Sequence, residues 1–328
     1  MKRSLLGRAL MLFVSLGAVI SLNAVLGSNV LAVELPFLEG GTLYKSSIDG
    51  LPSSAKKKVA SNVDRVLHYT HSTGKLLYTT NPVNDEKVGD LWLANMATNE
   101  TTQIARGVID AHLSPDGAMV AFWNKYHEIH LVTAEGTPLA QIGSRGAAPL
   151  FSHNGKLVAY EKLSDISFDE DDQSFFEFAQ GIAVYDIATK QETLLTRTEH
   201  GEDYAPVAFS SDLSRLYFNS TRTGVASLWS VNIDGSGLRQ ITNINSPPSL
   251  SAARIPVISQ VALWSSDRLI AISSIGAEKE IWLFRFTRDG TLPEARLLAH
   301  GELPQWLVDD RTVIFRAVNG KWQTYHIQ

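Results

Sequence analysis

A strand-and-turn pattern that returns six times between residues 62 and 328 is the feature that most constrains the fold. Each copy has a short apolar strand, a tight polar turn, two strands rich in β-branched and aromatic residues, a second turn and a short fourth strand. The first turns are anchored at Gly74, Gly117, Gly155, Ser214, Asp267 and Asp310. These anchors lie 38 to 59 residues apart, and four antiparallel strands take about 40–45 residues. We therefore predict an all-β fold, a six-bladed β-propeller of four-stranded antiparallel blades.

The second copy shows why the pattern makes hairpins. Its first turn reads Ser114-Pro115-Asp116-Gly117 and is followed by the strand sequence Met119 to Phe122. Proline presets its backbone φ, aspartate hydrogen-bonds its own backbone, and glycine accepts a positive φ. Helical periodicity is weak throughout the repeat region, so no amphipathic helix is predicted there.

Two departures from the repeat predict additional structure. The third copy carries a long polar insertion between Ser164 and Gln180, which a four-stranded blade does not need. The last copy ends at Gln328, directly after its third strand, and this would leave an unpaired sheet edge. We predict that the strand-like segment 41–48, or the neighbouring stretch up to Ala60, supplies the missing strand and closes the ring.

The N-terminus has the pattern of an export signal. Lys2, Arg3 and Arg8 form a basic start, an apolar run follows over 9–27, and Val30-Leu31-Ala32 provides small or compact residues for a signal peptidase. We predict cleavage after Ala32, which divides the chain into a signal peptide (1–32), an N-terminal segment with the closing strand (33–61) and the propeller (62–328). An uncleaved membrane anchor is the alternative, because the run is just long enough to span a bilayer. The polar residues inside the run argue against it, so we expect a periplasmic protein with no stable membrane insertion.

Cysteine content and charge exclude several classes of function. The chain has no cysteine, which excludes a lipid-modified cysteine, a disulfide framework and any thiolate metal site or nucleophile. Its formal net charge is −5 and becomes −8 without the signal peptide, which holds three basic residues and no acidic one. Binding to nucleic-acid phosphates needs clustered Lys and Arg, so a nucleic-acid partner is not expected.

The repeat resembles the propeller of the TolB family. The resemblance rests on the Ser114 to Gly117 turn with its following strand, and on the stretch from Ser210 to Thr242, where Leu238-Arg239-Gln240-Ile241-Thr242 follows Asp234-Gly235. It covers roughly residues 62–328 and implies a propeller that binds proteins of the cell envelope. TolB joins its propeller to a sizeable α/β domain, whereas only about thirty residues lie here between the predicted cleavage and the first blade. The resemblance is therefore to the propeller without that domain.

Patterns for catalysis and metal binding are weak. A serine hydrolase of the kind fused to such propellers needs Gly-x-Ser-x-Gly, and this pentad does not occur. Joint metal ligation by His68, His112 and His153 would require them to converge near the axis, although they occupy non-equivalent places in their repeats. We predict no catalytic residue, no metal site and no cofactor.

The insertion in the third copy is the first candidate for a partner-binding site. It interleaves acidic groups with aromatic ones, and binding hot spots favour aromatics ringed by polar residues. The candidate contact residues are Phe168, Phe175, Phe176, Phe178, Asp169, Asp171 and Asp172. A solvated loop and a calcium-binding loop are the alternatives, although the Asp-x-Asp-x-Asp-Gly pattern of a calcium loop is absent.

The second candidate is the mouth of the axial channel, where propellers commonly bind. When the repeats are aligned by their turns, the residues entering the innermost strands are mostly acidic or polar. This set contains Asp64, Arg65, Asp110, Asp203, Tyr204, Gln260 and Glu302. A hydrated channel needs a polar lining in any case, so structure alone explains part of this composition.

From these patterns we expect a monomeric, non-catalytic binding or scaffolding propeller that engages a protein or a cell-envelope component. A propeller enzyme is the alternative, such as a polysaccharide lyase or glycosidase acting in the central channel. A small-ligand sensor is a third possibility. An enzyme would need acid, base or metal groups that converge at the channel mouth, whereas a scaffold would present a broad apolar or mixed surface.

Overall fold

The computed structural model describes the chain as strands joined by turns. The described residues are 34–47, 56–70, 73–83, 88–164, 167–169, 174–176, 179–198, 204–224, 227–241, 258–264, 268–275, 278–285, 294–306, 312–317 and 322–327. Within these ranges the secondary structure is β throughout, and none of it forms a helix that could cross a membrane. The predicted signal peptide (1–32) lies outside the described residues.

The N-terminal segment forms a sheet of its own. Its three antiparallel strands are β1 (Glu34–Glu39), β2 (Thr42–Ser47) and β3 (Lys57–Ser61). The middle strand, β2, pairs with β1 on one edge and with β3 on the other. Leu43 from β2 is fully buried and joins Val66 and Tyr78 of the first blade in one apolar cluster.

The first two copies of the repeat share one seven-stranded antiparallel sheet. Its strands are β4 (Val63–Thr70), β5 (Lys75–Val83), β6 (Val88–Asn95), β7 (Thr101–Leu113), β8 (Met119–Asn124), β9 (Ile129–Thr133) and β10 (Pro138–Ile142). The long strand β7 pairs with β6 along its first half and with β8 along its second half. Its register with both partners shifts close to Gly107, whose φ is 69°. The outer strand of one blade therefore continues as the inner strand of the next.

The third and fourth copies form separate four-stranded antiparallel sheets. The third contains β11 (Gly146–Phe151), β12 (Leu157–Leu163), β15 (Ala179–Asp186) and β16 (Gln191–Leu194), with the hairpin β13 (Ser167–Asp169) and β14 (Ser174–Phe176) between its second and third strands. The fourth contains β17 (Tyr204–Phe209), β18 (Arg215–Ser220), β19 (Ser227–Asn232) and β20 (Arg239–Gln240). Both sheets have the four-stranded order that the repeat predicts.

The last two copies share a six-stranded sheet. Its strands are β21 (Ile258–Trp264), β22 (Arg268–Ile275), β23 (Glu278–Arg285), β24 (Glu294–Trp306), β25 (Thr312–Ala317) and β26 (Trp322–His326). Strand β24 pairs with β23 along its first half and with β25 along its second half, as β7 does with β6 and β8. Within the described strands β26 pairs with β25 alone.

The predicted ring closure is not seen at β2. Both edges of β2 are occupied by β1 and β3, so segment 41–48 does not act as the outer strand of the last blade. The sequence prediction was wrong for this segment because a strand's own pattern does not identify the neighbour with which it pairs. Pairing of β26 with the stretch that leads up to Ala60 stays a prediction.

The repeated turns confirm the local chemistry expected from the sequence. Ser114 Oγ bonds Asp116 Oδ1 (2.6 Å), and the backbone N–H of Met119 donates to Ser114 Oγ (2.8 Å). The same pair of bonds recurs at Ser152 with Asn154 (2.7 Å) and at Ser210 with Asp212 (2.7 Å). These serines are buried, so each hairpin is stabilised by a short side-chain network that excludes water.

The blades follow one another in space in chain order. The second half of β7 contacts β4 and β11, and β17 contacts β11 and β21, which in turn contacts β24. These are the first strands of successive repeats. The buried apolar side chains fill the space between neighbouring sheets.

Candidate functional site

One face of the molecule collects the starts of the innermost strands and the connections that follow the second strands. Because paired strands are antiparallel, the start of β11 lies beside the end of β12, with Gly146 opposite Lys162. In the same way Val108, where β7 enters its inner half, lies opposite Asn124 at the end of β8. The insertion after β12 and the loop after β8 therefore open on the face that carries the channel-mouth residues. We call this the entry face.

Arg65 on β4 is held by neighbouring groups. Its Nε lies 3.1 Å from Asp64 Oδ2, and its Nη2 donates to the backbone carbonyl of Ile109 on β7 (3.0 Å). The guanidinium thus joins the first two blades at the mouth. The charge of Arg65 is largely balanced by Asp64 within the same site.

Asp110 is the channel-mouth carboxyl whose environment is most perturbed. It is partly buried, and among the described residues its carboxylate accepts a hydrogen bond from the backbone N–H of Ala111 (2.8 Å). Burial raises the pKa of Asp110 to about 6, and the Ala111 N–H and the Arg65 guanidinium offset only part of this effect. A carboxylate in such a place is stabilised by a cationic group that comes from outside.

Two histidines, one from each of the first two blades, stack between the inner strands, near the strand ends that lie away from the mouth. The rings of His68 and His112 have centroids 3.8 Å apart at an interplanar angle of 24°. The backbone N–H of Leu113 donates to His68 Nδ1 (3.0 Å), and the buried Nδ1 of His112 has no hydrogen-bond partner among the described residues. Burial lowers the pKa of His112 to about 4 and that of His68 well below its usual range. Both rings are therefore neutral at pH 7.

The sequence did not predict this histidine pair. We expected His68 and His112 to lie apart because they occupy non-equivalent places in their repeats, but a register shift in β4 after Val66 changes which side chains face the second blade. His153 lies exposed in the turn after β11. Among the described residues no three His, Asp or Glu side chains are arranged to hold a metal ion.

A hydrogen bond connects the base of the insertion to the next inner strand. Glu161, near the end of β12, accepts the backbone N–H of Tyr204, the first residue of β17 (3.0 Å). Tyr204 itself is buried. The insertion therefore leaves the third sheet at a point that is fixed to the channel mouth.

The insertion contains a hairpin where the sequence pattern indicated a loop. Phe168 on β13 pairs with Phe175 on β14, Phe176 pairs with Ser167, and Asp169 pairs with Ser174. Asp171, Asp172 and Phe178 lie outside the described residues. The two aromatic positions at the centre of the hairpin are direct cross-strand partners, a relation that the spacing in the sequence did not reveal.

Strand pairing gives the location of two further channel-mouth positions. Gln260 on β21 pairs with Ile272, and Glu302 on β24 pairs with Arg316. Asp203 lies outside the described residues. The structure thus brings Asp64, Arg65 and Asp110 together at the first two blades.

A separate cavity lies between the outer strands of the first two blades. It has a volume of about 400 Å³. Its lining is mainly apolar and includes Ile104, Phe122, His130, Leu131, Val132 and Leu139. It shares no lining residue with the channel mouth.

Sequence comparison identifies one relative of limited extent. No family model matches the chain. An uncharacterized protein of Agrobacterium fabrum is 33% identical over 146 residues, which make up 41% of this chain and 43% of that protein. The chain therefore matches less than half of the length of this relative.

Solved structures define the class of fold. The tricorn protease matches with a TM-score of 0.59 at 14% identity, over 90% of this chain and 32% of the protease chain. TolB from Acinetobacter baumannii matches with a TM-score of 0.50 at 12% identity, over 89% of this chain and 76% of that chain. At these identities the likeness concerns the fold alone. The chain has a TolB-like β-propeller fold, which confirms the resemblance read from the repeat.

Proposed function

We propose that this protein is an exported, non-catalytic propeller of six blades that binds a protein or a cell-envelope component through its entry face. The observation that carries the proposal is the common location of the two candidate sites. The insertion and the channel mouth open on the same side, and the Glu161–Tyr204 hydrogen bond links them. A partner that contacts one region therefore meets the other.

Charge distribution supports a basic partner. The insertion holds Asp165, Asp169, Glu170, Asp171, Asp172 and Glu177. At the mouth Arg65 pairs with Asp64, and it offsets only part of the effect of burial on the Asp110 carboxyl. Such a surface attracts a positively charged segment, and electrostatic complementarity speeds association and selects among partners.

The fold alone does not decide between a scaffold and an enzyme, because function lies in the site rather than in the fold. Catalysis in the channel would need groups that exchange protons along its wall. The described candidates are Asp110 and His112, two residues apart on β7. Binding is the function we favour, because the neighbouring ionisable groups are already engaged within the protein. Arg65 hydrogen-bonds to Asp64, and His68 Nδ1 accepts a hydrogen bond from the backbone N–H of Leu113.

Export predicts a defined mature N-terminus. If residues 1–32 are a signal peptide, periplasmic material should begin at Val33, the residue directly before strand β1 (Glu34–Glu39). N-terminal sequencing of protein from a periplasmic fraction tests this prediction. Material from that fraction that still begins at Met1 would contradict it.

Replacing Phe175, Phe176 and Phe178 together with serine is expected to abolish partner capture from an envelope extract. The phenylalanines supply contact area on an insertion that the four-stranded sheet does not require. Capture is measured by quantifying the proteins that co-purify with the wild type and with the triple variant. The melting temperature should stay within about 2 °C of the wild type, since surface changes usually alter stability little.

A matched control replaces exposed apolar residues at the opposite end of the strands. Leu139 and Leu238 are 46% and 37% exposed and follow turns on the face opposite to the entry face. Their double serine variant should capture the same partner as the wild type. If the phenylalanine variant unfolds instead, the phenylalanines belong to the core and the insertion is not the contact element.

A further inference from the structure

The loop between β8 and β9 displays a tyrosine at the entry face. Tyr126 is 57% exposed, the largest exposed fraction among the large hydrophobic side chains that the structure describes. The loop begins at Asn124, which is paired with Val108 at the start of the inner half of β7. Tyr126 therefore lies on the same face as Asp110 and the insertion.

This loop is rigidly held. Asn124 Oδ1 accepts the backbone N–H groups of Tyr126 (2.9 Å) and Glu128 (3.1 Å), and Asn124 Nδ2 donates to Glu128 Oε2 (2.8 Å). His127 has a left-handed φ of 59°, and its carbonyl accepts the backbone N–H of Gly146 from the third sheet (2.8 Å). A left-handed backbone at a residue other than glycine costs free energy and persists only where surrounding contacts enforce it. The tyrosine is thus presented at little further cost in entropy on binding.

The ring of Tyr126 already accepts a cation from its own chain. Lys125 Nζ lies 5.0 Å from the ring centroid, within the range of a cation–π contact. Lysine side chains are flexible, so the ring face is open to exchange with a cation from a partner. Arginine suits this position better, because its planar guanidinium stacks on aromatic faces.

We infer that Tyr126 is an aromatic anchor for an extended segment of a partner protein. One arginine of this segment stacks on the ring of Tyr126, and a second cationic side chain of the same segment reaches Asp110. This rests on the proposed function and specifies its partner chemistry. Asp110 pairs with Trp123, three residues before Tyr126. Paired Cα atoms lie about 5 Å apart and three residues span at most about 11 Å, so an extended segment of about five residues reaches both groups.

The test uses a fluorescein-labelled twelve-residue peptide of alternating arginine and serine, with a glutamate–serine peptide of equal length for comparison. Dissociation constants are measured by fluorescence anisotropy at pH 7.5. The wild type should bind the arginine peptide more tightly than the glutamate peptide. Tyr126→Ala should weaken binding of the arginine peptide about ten-fold, whereas Tyr126→Phe, which keeps the ring, should stay within about two-fold.

Removing the internal competitor provides a gain-of-binding test. Lys125→Ala frees the ring and should tighten binding of the arginine peptide about three-fold. Lys156→Ala removes an equal charge at the opposite face and should leave binding unchanged, as should Leu139→Ala, which removes an exposed apolar side chain there.

The outcomes separate this inference from the proposed function. If Asp110→Asn weakens binding of the arginine peptide but Tyr126→Ala does not, the entry face still binds and the role of Tyr126 is overturned. If Tyr126→Ala weakens binding but Asp110→Asn does not, the tyrosine contact stands and its extension to Asp110 is overturned. A wild type that binds both peptides equally overturns the arginine-bearing partner altogether.

Discussion

Replacing Asp110 with asparagine is expected to abolish partner capture while making the protein more stable at pH 7.5. Burial raises the pKa of Asp110 to about 6 from its ordinary value of 3.8. The folded protein therefore holds this proton more tightly than the unfolded chain does. The stabilising contribution of the protonated carboxyl is fully present below pH 4 and is lost as the pH rises through 6. Asparagine does not ionise, so it avoids this loss.

The expected gain at pH 7.5 is about 1–2 kcal/mol in the free energy of unfolding, because the group is only partly buried. It is measured by urea denaturation of the wild type and the variant between pH 4 and pH 8. The difference between the two curves should grow from pH 4 to pH 6 and then level off. The lowered pKa values of His68 and His112 also make the folded protein less stable as the pH falls through this range. Their contribution to the free energy of unfolding is the same in the wild type and in the variant, so it cancels in the difference.

Partner binding should respond in the opposite direction. A partner's cation needs the ionised carboxylate, so capture by the wild type should hold above pH 6 and weaken below it. Asp234→Asn is the matched control, because Ser236 lowers the pKa of Asp234 in a turn on the opposite face. That variant should keep its partner and gain no stability. An Asp110 variant that still captures the partner would show that the mouth carboxyl is not the contact.

Replacing Gly181 with alanine is expected to lower the free energy of unfolding by about 3–4 kcal/mol. Gly181 lies in β15, where the chain returns from the insertion, and its φ is 143°. A Cβ atom added there would overlap the carbonyl oxygen of Thr196 and lie 2.7 Å from its carbonyl carbon. Backbone bonds hold the two segments together, since the N–H of Thr198 donates to the carbonyl of Gln180 (3.0 Å). The clash cannot be relieved by rotating a side chain.

Thermal unfolding followed by circular dichroism provides the measurement, and a fall of about 6 °C or more is expected. Gly224→Ala is the control, because Gly224 also has a positive φ, 82°, but no atom lies within 4 Å of an added Cβ. Its cost should be about 1 kcal/mol, that of the backbone conformation alone. Equal losses in the two variants would mean that the close approach to Thr196 does not constrain the base of the insertion.

Local features were predictable from the sequence. The Ser114 to Gly117 turn forms as its residue types indicate, because its bonds join atoms at most five residues apart. The two equivalent turns at Ser152 and Ser210 follow for the same reason. The repeated turns and alternating strands also predicted the propeller fold, since each copy folds mostly on itself.

The candidate site was predicted only as separate pieces. Asp110 was selected by aligning the repeats, but its raised pKa depends on burial by neighbouring strands, which Arg65 from another blade offsets only in part. Tyr126 was missed because a single aromatic residue in a short connection carries no pattern. Its significance depends on the bonds that Asn124 makes and on the face where β7 and β8 place it.

By itself, then, the sequence determined the all-β repeat, the hairpin turns and the acidic character of the insertion, all of which depend on residues near one another in the chain. Only the tertiary structure decided that β2 lies between β1 and β3, that His68 stacks on His112, and that the insertion and the mouth share one face. Strand pairing and ring stacking join residues from different blades or different strands of a sheet. Many partners of similar hydrophobicity compete for each such contact, and packing of the whole molecule selects among them.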